Sequence, residues 1–385
     1  MKNRSALGIL FLVVFVDLLG FGMVIPVMPL YAERLGASEA WIGLLSTGYS
    51  AMQLVFAPIW GALSDRVGRR PVLLLSIAMT AVAFLLYGLA DSFAMLLASR
   101  LFAGVATANI AIAQAYVADV TPPEGRARGM GMIGAAFGLG FTLGPAIGGL
   151  LSTRSLALPG FAAAGLSLVN LVGAFALLPE PSERSPAARR SRIRALVEEM
   201  GRPGILPLLV IYLLVVLAFS AMENTYSLLA QQRFGLSDRH VAYVFAYIGV
   251  IVVVVQGGLI GPLTRRLGEK RLLVAGAVLQ AIALAWLPFA SGVPGLLLAT
   301  APLAVGSGLS SPALTALLSR FARAEDQGGT LGIGQSAAAV GRVVGPVSGT
   351  WTYAQWQPAP YLGGAVLMAA AALVGAAVRG PRNGS

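Results

Sequence analysis

Apolar residues along this chain run together in windows of about twenty or more, broken by short charged stretches, and do not alternate with polar ones at the period of a half-buried strand or a surface helix. A helix must supply about 20 apolar residues to cross the ~30 Å hydrocarbon layer of a bilayer. Windows of that size fall at 7–31, 41–63, 71–90, 93–118, 127–151 and 158–178, and again at 205–230, 241–263, 272–290, 294–319, 328–351 and 359–378. The pattern predicts an all-α membrane protein of twelve transmembrane helices. The one long polar segment, "PEPSERSPAARRSRIRALVEEMGRPG" at 179–204, divides it into six-helix bundles at 1–178 and 205–385 and reads as a linker lying on anionic lipid headgroups.

Charge fixes an expected orientation. With both termini on one side, the loops of that side hold 21 of the 27 Lys and Arg residues, the opposite loops hold four (Arg34, Arg154, Arg233, Arg239), and Arg100 and Arg342 fall inside windows. By the positive-inside rule the termini are expected to be cytoplasmic; the expected location is the cell (inner) membrane. A net charge of +11 is thereby explained by topology, and with 57% hydrophobic residues no soluble basic face for nucleic acid is expected. The chain has no cysteine and one histidine, His240, so disulfides, thiolate chemistry and a metal site are not expected. The first apolar run is too long for a signal-peptide core and is read as an uncleaved span. HExxH and GxxxxGK[ST] motifs are absent, which argues against an intramembrane enzyme or an ATP-driven pump.

The two halves repeat each other. "GALSDRVGRRPVLL" at 61–74 recurs as "GPLTRRLGEKRLLV" at 261–274, with Gly61, Leu63, Gly68 and Leu73 returning as Gly261, Leu263, Gly268 and Leu273. Gly131, Gly140, Gly144, Pro145 and Gly148 return 201 residues later as Gly332, Gly341, Gly345, Pro346 and Gly349. Two parallel six-helix repeats are the construction of secondary transporters in which substrate binds between the halves and access alternates.

The "GALSDRVGRR" hinge resembles the loop between spans 2 and 3 of the major facilitator superfamily. With "LASRLFAG" (97–104), "GAAFGLGFTLGPAIGG" (134–149) and "DLLGFGMVIPVMP" (17–29), the chain is similar over nearly its whole length to the twelve-span drug:proton antiporters. Within them it resembles tetracycline exporters and, through "SAMENTYSLL" (220–229), quinolone-type multidrug pumps. The resemblance implies the major facilitator fold, a monomer among membrane lipids, and proton-coupled efflux of small amphiphilic compounds with no cofactor beyond the coupling proton. It implies a latch at Gly61, Asp65, Arg66, Gly68, Arg69 and Arg70, with Asp65 meeting the start of span 11 and Asp119 pairing with a hinge arginine. In the second half Arg265 stands where Asp65 does, so no equivalent acid is expected there. It also implies an antiport role for Gly140, Gly144, Pro145, Gly148 and Gly149, beside the close helix packing that this spacing allows on its own.

Ionisable groups in hydrocarbon cost several kcal/mol, commonly ~3, so each one needs a reason. Asp17, Arg100, Glu223 and Arg342 are of this kind. A lone carboxylate among apolar groups is poised between its neutral and charged forms and can carry a proton. Glu223 is the first candidate for coupling and Asp17 the second. Arg100 matches an arginine that, by the resemblance, biases a nearby carboxylate, and on a continuous helix Thr107 and Gln114 would extend a polar stripe from it. Arg342 either binds an anionic substrate or pairs with Glu223. Asn109, Gln114, Phe219, Tyr226, Tyr243, Tyr247 and Gln256 would line a cavity for an amphiphilic or aromatic substrate. Tetracycline exporters carry further acids in spans 3 and 9, which 71–90 and 272–290 lack, and quinolone-type pumps carry one in span 10, where "VGSGLSSPAL" (305–314) has serines. That difference argues against tetracycline itself. A lipid, sugar or anionic metabolite exporter, or a passive facilitator, stays open.

Overall fold

The computed structural model describes residues 2–107, 109–121, 123–180, 204–321 and 327–378, all of whose regular structure is helical. Most of the polar segment 179–204 lies outside the described residues. The first half contains α1 (Lys2–Val24), α2 (Met28–Arg34), α3 (Glu39–Val67), α4 (Arg69–Gly88), α5 (Phe93–Ala106), α6 (Asn109–Val120), α7 (Pro123–Ser152) and α8 (Leu158–Leu177). The second contains α9 (Ile205–Gln232), α10 (Asp238–Val254), a π-helical turn at Val255–Leu259, α11 (Ile260–Leu267), α12 (Glu269–Trp286), α13 (Gly292–Phe321), α14 (Gln327–Gln355) and α15 (Ala359–Ala377).

Every apolar window falls on one of these helices or on consecutive ones. Among the described residues nine spans are long and apolar enough to cross a membrane. The remaining three windows are the pair α5 and α6, of 14 and 12 residues, and the glycine-rich α7 and α14, of 30 and 29 residues. Pro159 and Pro360 stand in the first turns of α8 and α15, where a missing N–H costs no hydrogen bond.

Two compact units emerge, residues 1–187 with 236–246, and residues 188–235 with 247–385. In the first, α1 packs on α7 and α8, α4 on α8 and α5, and α3 on α5. Its core gathers Leu10, Val13 and Val14 of α1, Leu73 and Ile77 of α4, and Tyr116 and Val117 of α6. In the second, α9 packs on α14 and α15, and α12 on α13 and α15. Its core gathers Leu208 and Ile211 of α9, Leu272 and Leu273 of α12, and Leu314, Leu317 and Leu318 of α13. The same packing scheme thus serves both sequence repeats. Large apolar side chains also face outward, as Leu168, Val169, Val172 and Phe175 do along α8, which hydrocarbon solvates and water does not.

The repeated glycine ladder sets how closely helices approach. A Cβ on Gly144 of α7 would lie 2.7 Å from the Cα of Gly22 on α1, and one on Gly345 of α14 would lie 2.8 Å from the Cβ of Ser220 on α9. Gly140 and Gly148 lean on the same stretch of α1, at Leu18 and Met23, and Gly149 is buried beside them. Pro145 and Pro346 lie inside α7 and α14, where each removes a backbone donor and loosens the helix at the level of this contact. Gly144→Val must therefore push α1 and α7 apart, at about 1–3 kcal/mol. Thermal unfolding in detergent should show a clear drop in midpoint for Gly144→Val and none for Gly165→Val, since Gly165 has open space around it.

Candidate functional site

Charge is concentrated where α3 turns into α4. Gly68, at φ +130°, ends α3 and lets α4 start at Arg69, whose guanidinium reaches back and across. Its Nη1 lies 2.5 Å from Asp65 Oδ1 and donates to Ser64 Oγ at 2.7 Å; its Nε donates to Asp119 Oδ2, at the end of α6, at 2.8 Å. Ser64 in turn donates to the carbonyl of Gly61. The Asp119 side chain is only 4% exposed, so it depends on this arginine for its neutralisation. Arg70 donates to the Phe175 carbonyl at 2.6 Å and lies over the Phe175 ring, while Arg66 is exposed. The hinge arginine that meets Asp119 is thus Arg69.

Deeper in the first unit, two further ionisable groups have separate surroundings. Asp17 of α1, 7% exposed, accepts a hydrogen bond from Asn109 Nδ2 at 2.8 Å. Arg100 of α5, 1% exposed, lies against two aromatic faces, 5.6 Å from the Phe21 centroid and 4.8 Å from that of Tyr49. These are cation–π distances. Among the described residues no carboxylate pairs with Arg100, and its Nε has no hydrogen-bond partner.

The polar stripe expected from Arg100 through Thr107 to Gln114 does not lie on one continuous helix. α5 ends at Ala106, the capping Thr107 has an extended ψ of 92°, and α6 begins at Asn109. Tertiary hydrogen bonds hold the break. The Val105 carbonyl accepts from the Trp60 indole at 2.6 Å and the Ala106 carbonyl from Ser76 Oγ at 2.5 Å, so side chains satisfy the last two carbonyls of α5. Tyr49 then donates to Thr107 Oγ1 at 3.2 Å, and the break presents Asn109 to Asp17. Gln114 is half-buried further along α6.

In the second unit, Glu223 sits near the middle of α9 with its side chain partly accessible, while Met222, Asn224, Thr225 and Tyr226 around it are buried. Among the described residues it makes no hydrogen bond or ion pair, so the expected pairing with Arg342 is not formed. Arg342 is half-buried on α14. Tyr226 shares a 2.6 Å hydrogen bond with Thr300, Tyr247 points its hydroxyl at the Leu297 carbonyl 3.5 Å away, Phe219 is half-buried one turn before Glu223, and Gln256 lies in the π-helical turn. Tyr243, on the part of α10 that belongs to the first unit, is exposed, and Arg239 Nε donates to its hydroxyl at 2.9 Å.

Sequence reasoning missed three features. Glu180, just beyond α8, accepts from the backbone N–H groups of Arg69 and Arg70; an acid next to the foot of a span was a visible signal, but its partners lie 111 and 110 residues earlier. Phe21 and Tyr49, which box Arg100, carry no sequence mark. At the second hinge an ion pair does form, with reversed signs: Glu269 at the start of α12 meets Arg320 in the last turn of α13 at 2.6 Å, where Arg69 and Asp119 stand in the first half. Glu269 now agrees with the dipole at a helix N-terminus and Arg320 with that at a C-terminus.

Compared with known proteins, residues 10–260 and 256–384 match the model of the Major Facilitator Superfamily. The tetracycline resistance protein, class C, of Escherichia coli is 32% identical over 382 residues, covering 95% of each chain. Multidrug resistance protein 2 of Bacillus subtilis (strain 168) is 30% identical over 359 residues, covering 90% of this chain and 88% of its own. Among solved structures, the human organic anion transporter MFSD10 (TETRAN) superposes with a TM-score of 0.74 at 26% identity, covering 97% of this chain and 99% of its own. The nucleoside transporter NupG, at 12% identity and a TM-score of 0.77, shares the fold.

Proposed function

The chain belongs to the major facilitator superfamily of membrane transporters, and from that premise we propose that it is a proton-coupled exporter of small amphiphilic, drug-like compounds. The observation that carries this reading is Glu223, an acid in mid-span with no cation and no hydrogen-bond donor bound to it among the described residues. A carboxylate so placed can take up and give back a proton, which a polar amide cannot. The relatives named for tetracycline and multidrug resistance support export of drug-like molecules. In the cycle we infer, the empty carrier returns with a proton from outside on Glu223 and loses it to the cytoplasm, while substrate leaves in the opposite direction. Asp17, held by Asn109, is the second carrier, and the first hinge latches the alternating states.

The test is flux in proteoliposomes of purified protein, with ethidium, tetracycline and norfloxacin as probes, with and without an imposed pH gradient. Uphill movement of at least one probe against its own gradient, collapsing with a protonophore, is expected. Downhill flux indifferent to pH would make the protein a passive facilitator.

A second reading has its own observation. Arg100 is a buried cation to which no described carboxylate is paired, and a relative of the same fold is named as an organic anion transporter. On that reading an anionic substrate supplies the missing charge at Arg100, or binds at Arg342. Transport of carboxyfluorescein, lost in Arg100→Gln or Arg342→Gln while ethidium flux persists, would establish it.

A further inference from the structure

The first hinge depends on a carboxylate imported from elsewhere in the chain. At the N-terminus of α4, Gly68 is the cap, Arg69 and Arg70 follow, and Pro71 has no N–H. The first amides of a helix have no acceptor within it. Here Glu180 supplies one: its Oε1 accepts from the Arg69 amide and its Oε2 from the Arg70 amide, both at 2.8 Å. The same carboxylate places a negative charge at the positive end of the helix dipole, where two arginines otherwise oppose it. Its approach needs the glycine, since a Cβ on Gly68 would lie 2.8 Å from Glu180 Oε1. Two more contacts fasten the segment before it, from Arg70 to the Phe175 carbonyl and from the Tyr116 hydroxyl to the Pro179 carbonyl.

The second hinge provides an internal comparison. It carries its acid within the helix, as Glu269, and a Cβ on Gly268, at φ +77°, would meet no atom within 4 Å. Both glycines have positive φ, so a side chain strains the backbone at either one. Only at Gly68 does it also displace a carboxylate.

We propose that Glu180 is a positioning residue of the first hinge: by closing the N-terminus of α4 it fixes Arg69 where it can bridge Asp65 and Asp119, and it fastens the end of α8 to that bridge. This rests on the reading of the hinge as a working part of the transport cycle. Its structural half does not need a known substrate.

The experiment is hydrogen–deuterium exchange on the full chain in detergent, followed over peptides spanning 66–74, for wild type, Glu180→Gln, Gly68→Ala, the double variant and Gly268→Ala. Loss of two charge-assisted bonds is expected to speed exchange at Arg69 and Arg70 by about tenfold or more in Glu180→Gln. Gly68→Ala should match it, and the double variant should exceed neither, because both changes remove the same contact. Gly268→Ala should leave these amides alone. Exchange unchanged in Glu180→Gln, or effects that add in the double variant, would overturn the proposal. In parallel, ethidium efflux from proteoliposomes should fall in Glu180→Gln through its maximal rate with KM preserved, and recover in part in Glu180→Asp. Faster exchange with wild-type efflux would overturn the positioning role. If wild type moves none of ethidium, tetracycline and norfloxacin, the drug-export reading fails and the exchange measurements still decide for or against Glu180.

Discussion

Glu223→Gln will retain exchange of labelled for unlabelled substrate and lose uphill export. A gradient of one pH unit stores about 1.4 kcal/mol per proton, enough to sustain roughly a tenfold concentration ratio for one-to-one exchange. Glutamine keeps the size and polarity of the side chain and cannot carry the proton, so that ratio should fall to about one while binding survives. The arrangement in α9 makes this separation clean: no described residue hydrogen-bonds or ion-pairs with Glu223, so the substitution leaves no partner stranded. Its neighbour Asn224 bonds to the Ser220 carbonyl of its own helix, and Tyr226 to Thr300, and neither bond involves the acid. Accumulation ratios measured in proteoliposomes at imposed gradients of one and two pH units decide it. A ratio in Glu223→Gln that still grows with the gradient would move the coupling to Asp17, for which Asp17→Asn is the matching test.

What the sequence disclosed and what it hid follow from the range of the interactions. The spans were legible because twenty apolar residues in a row have one common use, and the duplication because both halves solve the same packing problem with the same glycines, Gly144 against Gly22 and Gly345 against Ser220. The break at Thr107 was not legible. "VATANIA" contains neither proline nor a second glycine after Gly104, and the helix stops where Trp60 and Ser76, on other helices, meet the Val105 and Ala106 carbonyls. The π-helical turn at Val255–Leu259 escaped as well, since one residue too many leaves an apolar run still apolar. At the second hinge Arg265 stands at the place of Asp65, and the acid that pairs there lies four residues further on. An ion pair is defined by two positions, and here both changed sign, to Glu269 and Arg320.

Arg69→Ala is expected to be more damaging than any other single change at the hinges. One guanidinium there serves Asp65, Asp119 and Ser64, and its removal leaves the nearly buried Asp119 carboxylate without a cation. Breaking a buried pair from one side costs about 3–5 kcal/mol, most of it from the charge left behind. The half-exposed Glu269–Arg320 pair, with Arg320 53% exposed, should matter far less, at about 0–1 kcal/mol. Arg69→Lys should not rescue, because a single ammonium cannot reproduce the fork whose Nε and Nη1 face different acids. Adding Asp119→Asn to Arg69→Ala removes the stranded charge, so the double variant should regain much of the lost thermal stability. It should not regain transport, since nothing then bridges the foot of α6 to the start of α4. Thermal midpoints and ethidium efflux measured on the same four proteins separate these effects: equal midpoints for Arg69→Ala and the double variant would show that the pair is not held as a unit, and restored efflux would show that neutralising Asp119 is all that Arg69 does.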